Sequence, residues 1–370
     1  MKLVTIGYSR PNFESKLEEK GFGFHKNYWD ETRYFEFSMD EVLTIEKATN
    51  ALFSMYLTAI QHVIDNKMYH LFGIPEWFQP LIEESWNEDH PSIYGRFDFV
   101  FKDGIPKLLE FNADTPTSLV EAAIAQWFWK EDLFKQEDQF NSLHESLIDY
   151  WKYLKPYLNS STVYFTCVKN SHEDLTTVEY IRDCAIQAGI DTKLIFIDDI
   201  GWDGDKFLDL EEKEIKSLFK LYPWEWMIND NFGVNLLVRT CQFIEPAWKI
   251  LASSKALLPI LWDLFPDCPY ILRAETKPLP IDYVEKPIYS REGSNVSINQ
   301  GGLITERTKG PYITNKSIYQ EYCEIPEFDG LKPIIGSWVV GQVSHGMGIR
   351  ASENKITSNK SLFIPHIIKL

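Results

Sequence analysis

One stretch constrains this chain more than any other: RFDFVFKDGIPKLLEFNADTPT, residues 96–117. Two runs rich in aromatic and branched residues flank Lys102-Asp103-Gly104, a pattern that predicts a β-hairpin. Side chains alternate along a strand, so Arg96, Asp98 and Val100 share one face and Phe97, Phe99 and Phe101 the other. On the return strand Glu110 and Asn112 share a face, opposite Leu109 and Phe111. A two-residue Asp103-Gly104 turn pairs 98 with 109 and sets Asp98 beside Leu109 and Phe111. A three-residue Lys102-Asp103-Gly104 loop pairs 98 with 108 and 96 with 110, with Gly104 in a left-handed position that glycine favours. Only the second register gathers the phenylalanines on one side and Arg96, Asp98, Glu110 and Asn112 on the other. Burial selects it.

The polar face invites two readings. Two carboxylates and an amide carbonyl are hard oxygen donors that suit Mg²⁺ or Mn²⁺, with water and substrate phosphate completing the shell. Arg96 is apt as a phosphate clamp beside such an ion. The competing reading is a solvated strand face with an Arg96–Glu110 cross-strand pair. Taken alone, the stretch favours the second.

Composition narrows the partners. The 370 residues suffice for two or three lobes, and 44% apolar with 15% aromatic content marks a folded chain. Against 37 basic residues stand 54 acidic ones, a net charge of −17, which argues against nucleic acid or an anionic membrane and favours cationic ligands. Five scattered cysteines without CxxC spacing argue against a disulfide framework or a zinc site. The N-terminus lacks a signal-peptide core, and no apolar run approaches the length of a membrane span. A cytoplasmic location is the expectation.

Along the chain, Ser38 followed by Glu41 reads as a capping box that opens a long amphipathic helix. Helices are expected over 118–129 and 141–155. From about Ser160 a strand, a helix closed by Gly189 and a second strand form a βαβ unit. The segment 243–265 reads as helical with a break near Ser253–Ser254, and the last hundred residues as antiparallel strands. The expected class is α/β (α+β) in three regions: 1–158, a helical part plus the hairpin; 159–245, the βαβ lobe; and 246–370.

Three further sites carry charge in telling places. Lys255, among apolar neighbours, either snorkels from a helix edge or reaches into a cleft, and alone it reads as snorkelling. Lys286 and Arg291 precede Gly293-Ser294-Asn295, a turn that can aim backbone N–H groups at phosphate, although taken alone the motif is weak and reads better as an ordinary hairpin. No GxxxxGK[ST] loop occurs. Arg350 ends a strand rich in small residues, and His345 reads as structural.

Taken together, R-x-D with EFNAD, then EPAWK with SKALLP, then KPI…REGSNV, then FDG…GSW…GMGIR…IT.N.S.F.PH resemble the glutathionylspermidine synthetase family in order, from about Tyr28 to His366. The resemblance implies a circularly permuted ATP-grasp with a pre-ATP-grasp-like lobe, and an ATP-dependent acid–amine ligase that works through an acyl phosphate. It implies Asp98, Glu110 and Asn112 as magnesium ligands. Arg96, Lys255, Lys286, Arg291 and Arg350, with Gly293 in the adjacent turn, match positions that hold ATP phosphates or the phosphorylated intermediate. Gln320, Glu321 and Tyr322 match the adenine-binding hinge, and Thr115 and Thr117 match hydroxyl positions near the acceptor pocket. A glutathione-like acid and a polyamine-like amine are the implied partners. The chain is too short for the amidase domain of bifunctional members, and Ala351 follows Arg350 where an acid is common. The segment from Arg291 to Gly302 is the expected lid. Two other readings share this site: an Mg-ATP-binding regulatory subunit without ligase activity, and a phosphotransferase that stops at the phosphorylated substrate.

Overall fold

A computed structural model describes residues 1–312, 316–357 and 361–369; Asn359 of the last motif lies outside them. It is a mixed α/β arrangement of several sheets. At its centre stands an antiparallel sheet in the order Leu362–Ile364, Val343–Ser352, Lys332–Val340, Tyr94–Lys102 and Ile105–Asn112. The hairpin therefore sits at one side of a sheet drawn from both ends of the chain.

Its aromatic face is buried for a visible reason. The helix Met39–Asp65, opened by the expected Ser38/Glu41 capping box, buries Val42, Ile45, Leu52, Tyr56 and Val63 at helical spacing. Tyr56 packs edge-on against Phe97 at 5.3 Å and Phe111 at 5.1 Å, and those two rings stack at 3.8 Å. Each fully buried phenylalanine contributes roughly 1.5–3 kcal/mol. Gly95 leaves room for this stack, because a Cβ there would lie 2.6 Å from the Phe111 ring.

The turn departs from expectation. Lys102 pairs with Ile105, so the loop is the two-residue Asp103-Gly104, both with positive φ (52° and 78°). Asp98 nonetheless faces Glu110 and Arg96 faces Asn112, because a bulge at Leu109 inserts one residue between Glu110 and Leu108. The sorting of faces is as expected; the device that achieves it is the bulge, not a longer loop. The solvated-face reading fails too, since Tyr94–Phe101 are buried throughout and Arg96 pairs with Asp98.

Beside this sheet, Gln242–Ile244, Ser217–Leu221, Thr162–Cys167 and Asp191–Leu194 form a parallel sheet. The helix His172–Gln187, ended before Gly189, makes the expected βαβ crossover. Phe243 and Ile244, expected to be helical, belong to the strand Gln242–Ile244; helices follow at Lys249–Ser253 and Leu257–Leu264, broken where predicted. A third, antiparallel sheet runs Ala274–Glu275, Ser317–Glu321, Tyr283–Pro287, Ser297–Gln300 and Leu303–Arg307.

Two buried ion pairs tie these parts together. Lys220 Nζ lies 2.5 Å from Asp114 Oδ1, both side chains fully buried, and Asp114 Oδ2 accepts from the Trp224 amide at 2.9 Å. Lys249 lies 3.1 Å from Glu245, whose carboxylate accepts from the Ile93 amide at 2.8 Å and the Tyr94 amide at 3.1 Å. Every charge here is matched, which buried ions require. Among the described residues no helix is long and apolar enough to cross a membrane.

Candidate active site

The polar face of the hairpin opens onto a cleft of about 410 Å³. Asp98 is its most heavily used acid. It accepts from Arg96 at 2.6 and 3.0 Å, from Arg350 at 3.1 Å and from the Asn112 amide at 3.3 Å. Arg96 reaches it lying across Gly336, where a Cβ would meet its Cδ at 2.7 Å, and it also donates to the Thr117 carbonyl at 2.5 Å.

Glu110 faces the lysines. Lys255 Nζ lies 2.9 Å from Glu110 Oε2 and donates to the Ser290 carbonyl at 2.8 Å. Lys255 stands in the break between two helices and is buried, so it reaches into the cleft; the snorkelling reading is overturned. Burial alone would push Glu110 up, but Lys255 and Lys286 outweigh it and hold the carboxyl at about 2. Burial pulls Lys286 the other way, down to about 8, despite Glu110 nearby.

The bulge has a use here. It leaves the Leu109 carbonyl free to accept from Lys286 at 3.0 Å, while the Leu108 carbonyl accepts from Gln320 at 2.9 Å. Gln320 Oε1 in turn accepts from Lys286 at 2.6 Å. The hairpin is thereby docked onto the third sheet, whose Glu321 and Tyr322 also line the cleft. Arg291 donates to Thr115 Oγ1 and to Glu225 Oε1, the latter at 2.9 Å. Among the described residues, the buried atoms Arg291 Nε and Glu225 Oε2 hydrogen-bond to no other protein atom. Gly293 combines a φ of +64° with close packing, since a Cβ would run into the Thr357 carbonyl.

The residues expected to hold metal, nucleotide or substrate thus line one cleft, Thr115, Thr117 and Arg350 included. The chain belongs to the glutathionylspermidine synthase family. The family model for the glutathionylspermidine synthase pre-ATP-grasp region matches residues 5–369. A Haemophilus influenzae protein named "Putative acid--amine ligase" is 39% identical, covering 99% of both chains. The trypanothione synthetase of Crithidia fasciculata is 28% identical over 96% of this chain, and the bifunctional glutathionylspermidine synthetase/amidase of Escherichia coli is 27% identical over 92%. This chain spans 60% of the length of each of these two.

Sequence reasoning missed part of this family member's cleft. Val168 and Leu221 line it where two parallel strands end, the place where open α/β sheets hold ligands. Ser171 caps the following helix, accepting from the Asp174 amide at 3.2 Å, and Glu173 and Asp174 stand in its first turn. Burial, then Glu173, pushes Asp174 up to about 6. Burial, then Glu173, also pushes the nearby Glu121 up to about 8. The signal was present as a serine and two acids just after a strand. Trp226 and Glu292 complete this end.

Among the described residues no three His, Cys, Asp or Glu side chains cluster to hold a metal. A divalent cation would rest on Asp98, Glu110 and the amide oxygen of Asn112. That donor set suits Mg²⁺ or Mn²⁺, with phosphate and water supplying the other ligands.

Proposed function

We propose that this protein is an ATP-dependent acid–amine ligase on a circularly permuted ATP-grasp scaffold. One observation carries the reading: five cations, Arg96, Lys255, Lys286, Arg291 and Arg350, converge with Asp98 and Glu110 on a single cleft in a chain of this family. Lys255, Lys286 and the Gly293 turn bind the triphosphate, with Gln320, Glu321 and Tyr322 along the base. Asp98, Glu110 and Asn112 hold Mg²⁺, which neutralises phosphate charge when bound.

The substrate carboxylate attacks the γ-phosphorus, the bond to the β-phosphate breaks, and ADP leaves. The amine then attacks the acyl carbon, phosphate departs, and the amine proton passes to a carboxylate or to water. Negative charge grows on the phosphoryl oxygens, and Arg96, Arg291 and Arg350 stabilise it. No protein nucleophile is needed. The acyl phosphate must be shielded from water, the task assigned to the segment from Arg291 to Gly302. Glu173, Asp174 and Glu292 supply an acidic wall for an amine, with Thr115 and Thr117 at the acceptor side.

The test is Mg²⁺-dependent ADP release with glutathione and spermidine supplied separately and together, products read by mass spectrometry, with Asp98→Asn as control. Release that needs both and yields an amide establishes this ligase. Slow substrate-independent release lost in the variant keeps the ligase but assigns it other substrates. Absence of nucleotide turnover and binding ends the proposal.

A further inference from the structure

Glu225 is an acid that the ligase chemistry leaves without a task. Only 11% of its side chain is exposed, and it stands behind the residues that line the cleft rather than among them. Its Oε1 accepts from Arg291 Nη2 at 2.9 Å, while Arg291 Nη1 donates to Thr115 Oγ1. These two acceptors are far apart in the chain, and one buried ion pair sets them side by side. Asp114, which precedes Thr115, accepts at 2.9 Å from the amide of Trp224, which precedes Glu225. Its partner Lys220 also donates to the Tyr222 carbonyl at 3.0 Å, and the Asn229 side chain donates to the Glu225 carbonyl at 2.8 Å. The socket that receives Arg291 is made of fixed parts.

Arg291 gains from this arrangement. It lines the cleft with 30% of its side chain exposed. An arginine has many rotamers, and a cation that must meet developing charge at one place works best when they are already restricted. Thr115 and Glu225 each fix one Nη group. Burial works against the guanidinium charge, but Glu225 outweighs it and raises Arg291 above its ordinary value. We infer that Glu225 is a positioning residue: with Thr115 it holds the Arg291 guanidinium in place at the cleft wall before charge develops on the phosphoryl group. The inference rests on the ligase reading and deepens it.

The test is a double-mutant cycle read as ADP release from Mg-ATP, whether that release depends on glutathione and spermidine or proceeds without them. Glu225→Gln should lower kcat by between about tenfold and about a hundredfold, with KM for ATP within about twofold of the wild type. Arg291→Met should lower kcat by about 10²–10³-fold. Because Glu225 acts through Arg291, adding Glu225→Gln to Arg291→Met should change kcat by less than about twofold. Should Glu225→Gln fail to fold, Thr115→Val removes the other acceptor and completes the same cycle with the same expected non-additivity. Wild-type kcat in Glu225→Gln, a change confined to KM, or losses that simply multiply in the double variant overturn the inference while leaving the ligase intact. A wild type that releases no ADP removes the ligase reading itself, and the inference with it.

Discussion

Lys220 and Lys255 face acids at similar range, yet their surroundings differ in kind. Lys220 and Asp114 are sealed, each with no exposed side-chain surface, and Asp114's second oxygen is taken by a backbone amide. Lys255 and Glu110 stand at a cleft wall, Glu110 with 27% of its side chain exposed, and a second cation within Coulomb reach. The first pair has no surface that a ligand could reach and can serve only to hold the hairpin against the parallel sheet. In the second, the lysine can turn from a carboxylate to a phosphate because another cation still balances Glu110. Fixed charge builds the scaffold, and exchangeable charge does chemistry.

The sharpest way to break this comparison is to truncate both lysines. Lys220→Met leaves Asp114 buried without its counter-charge, and urea unfolding should show a loss of about 3–5 kcal/mol. Lys255→Met should change stability by no more than about 1 kcal/mol, since Lys286 still faces Glu110, but should lower ADP release about 10²–10³-fold. The reverse ranking, a stable Lys220→Met and an unfolded Lys255→Met, would mean that the two pairs have been assigned the wrong roles.

How much of this distinction was legible in the sequence can be said residue by residue. Period-two alternation correctly sorted Phe97 and Phe99 from Arg96 and Asp98, because burial acts on side chains. It could not place the bulge at Leu109, which arises from backbone geometry and from distant donors, Lys286 and Gln320, that claim the freed carbonyls. The capping box at Ser38 and Glu41 was readable because both partners are local. Lys255 was misread for the opposite reason: its apolar neighbours in sequence hide a partner, Glu110, supplied by another element. Asp114 lay inside the quoted stretch, but its counter-charge Lys220 is 106 residues on, in a buried strand.

Lys286 sharpens the comparison through pH. Its ammonium, lowered to about 8, discharges above that value, so affinity for Mg-ATP should fall roughly tenfold between pH 7 and 9 by titration calorimetry. Stability should move oppositely. The unfolded lysine keeps its proton to about 10.4, so between 8 and that value the unfolded chain binds more protons and folding gains as pH rises. Below about 8 the cost of burying the charged lysine is carried in full. Lys286→Arg should flatten the affinity slope, and an unchanged slope in that variant would assign the titration to another group.

The smallest effect belongs to a third kind of pair on the same hairpin. Lys102 Nζ lies 3.1 Å from Glu324 Oε2, with side chains 37% and 73% exposed. Water screens this contact and two mobile side chains must be ordered to make it, so Lys102→Ala should leave the urea unfolding midpoint indistinguishable from that of the wild type. ADP release should be unaltered, although the residue is only four positions from Asp98 along the strand. Distance along the chain would predict otherwise; burial and direction decide. A Lys102→Ala loss comparable to that of Lys255→Met would show that charge anywhere on this hairpin matters alike, and the division between scaffold and chemistry would dissolve.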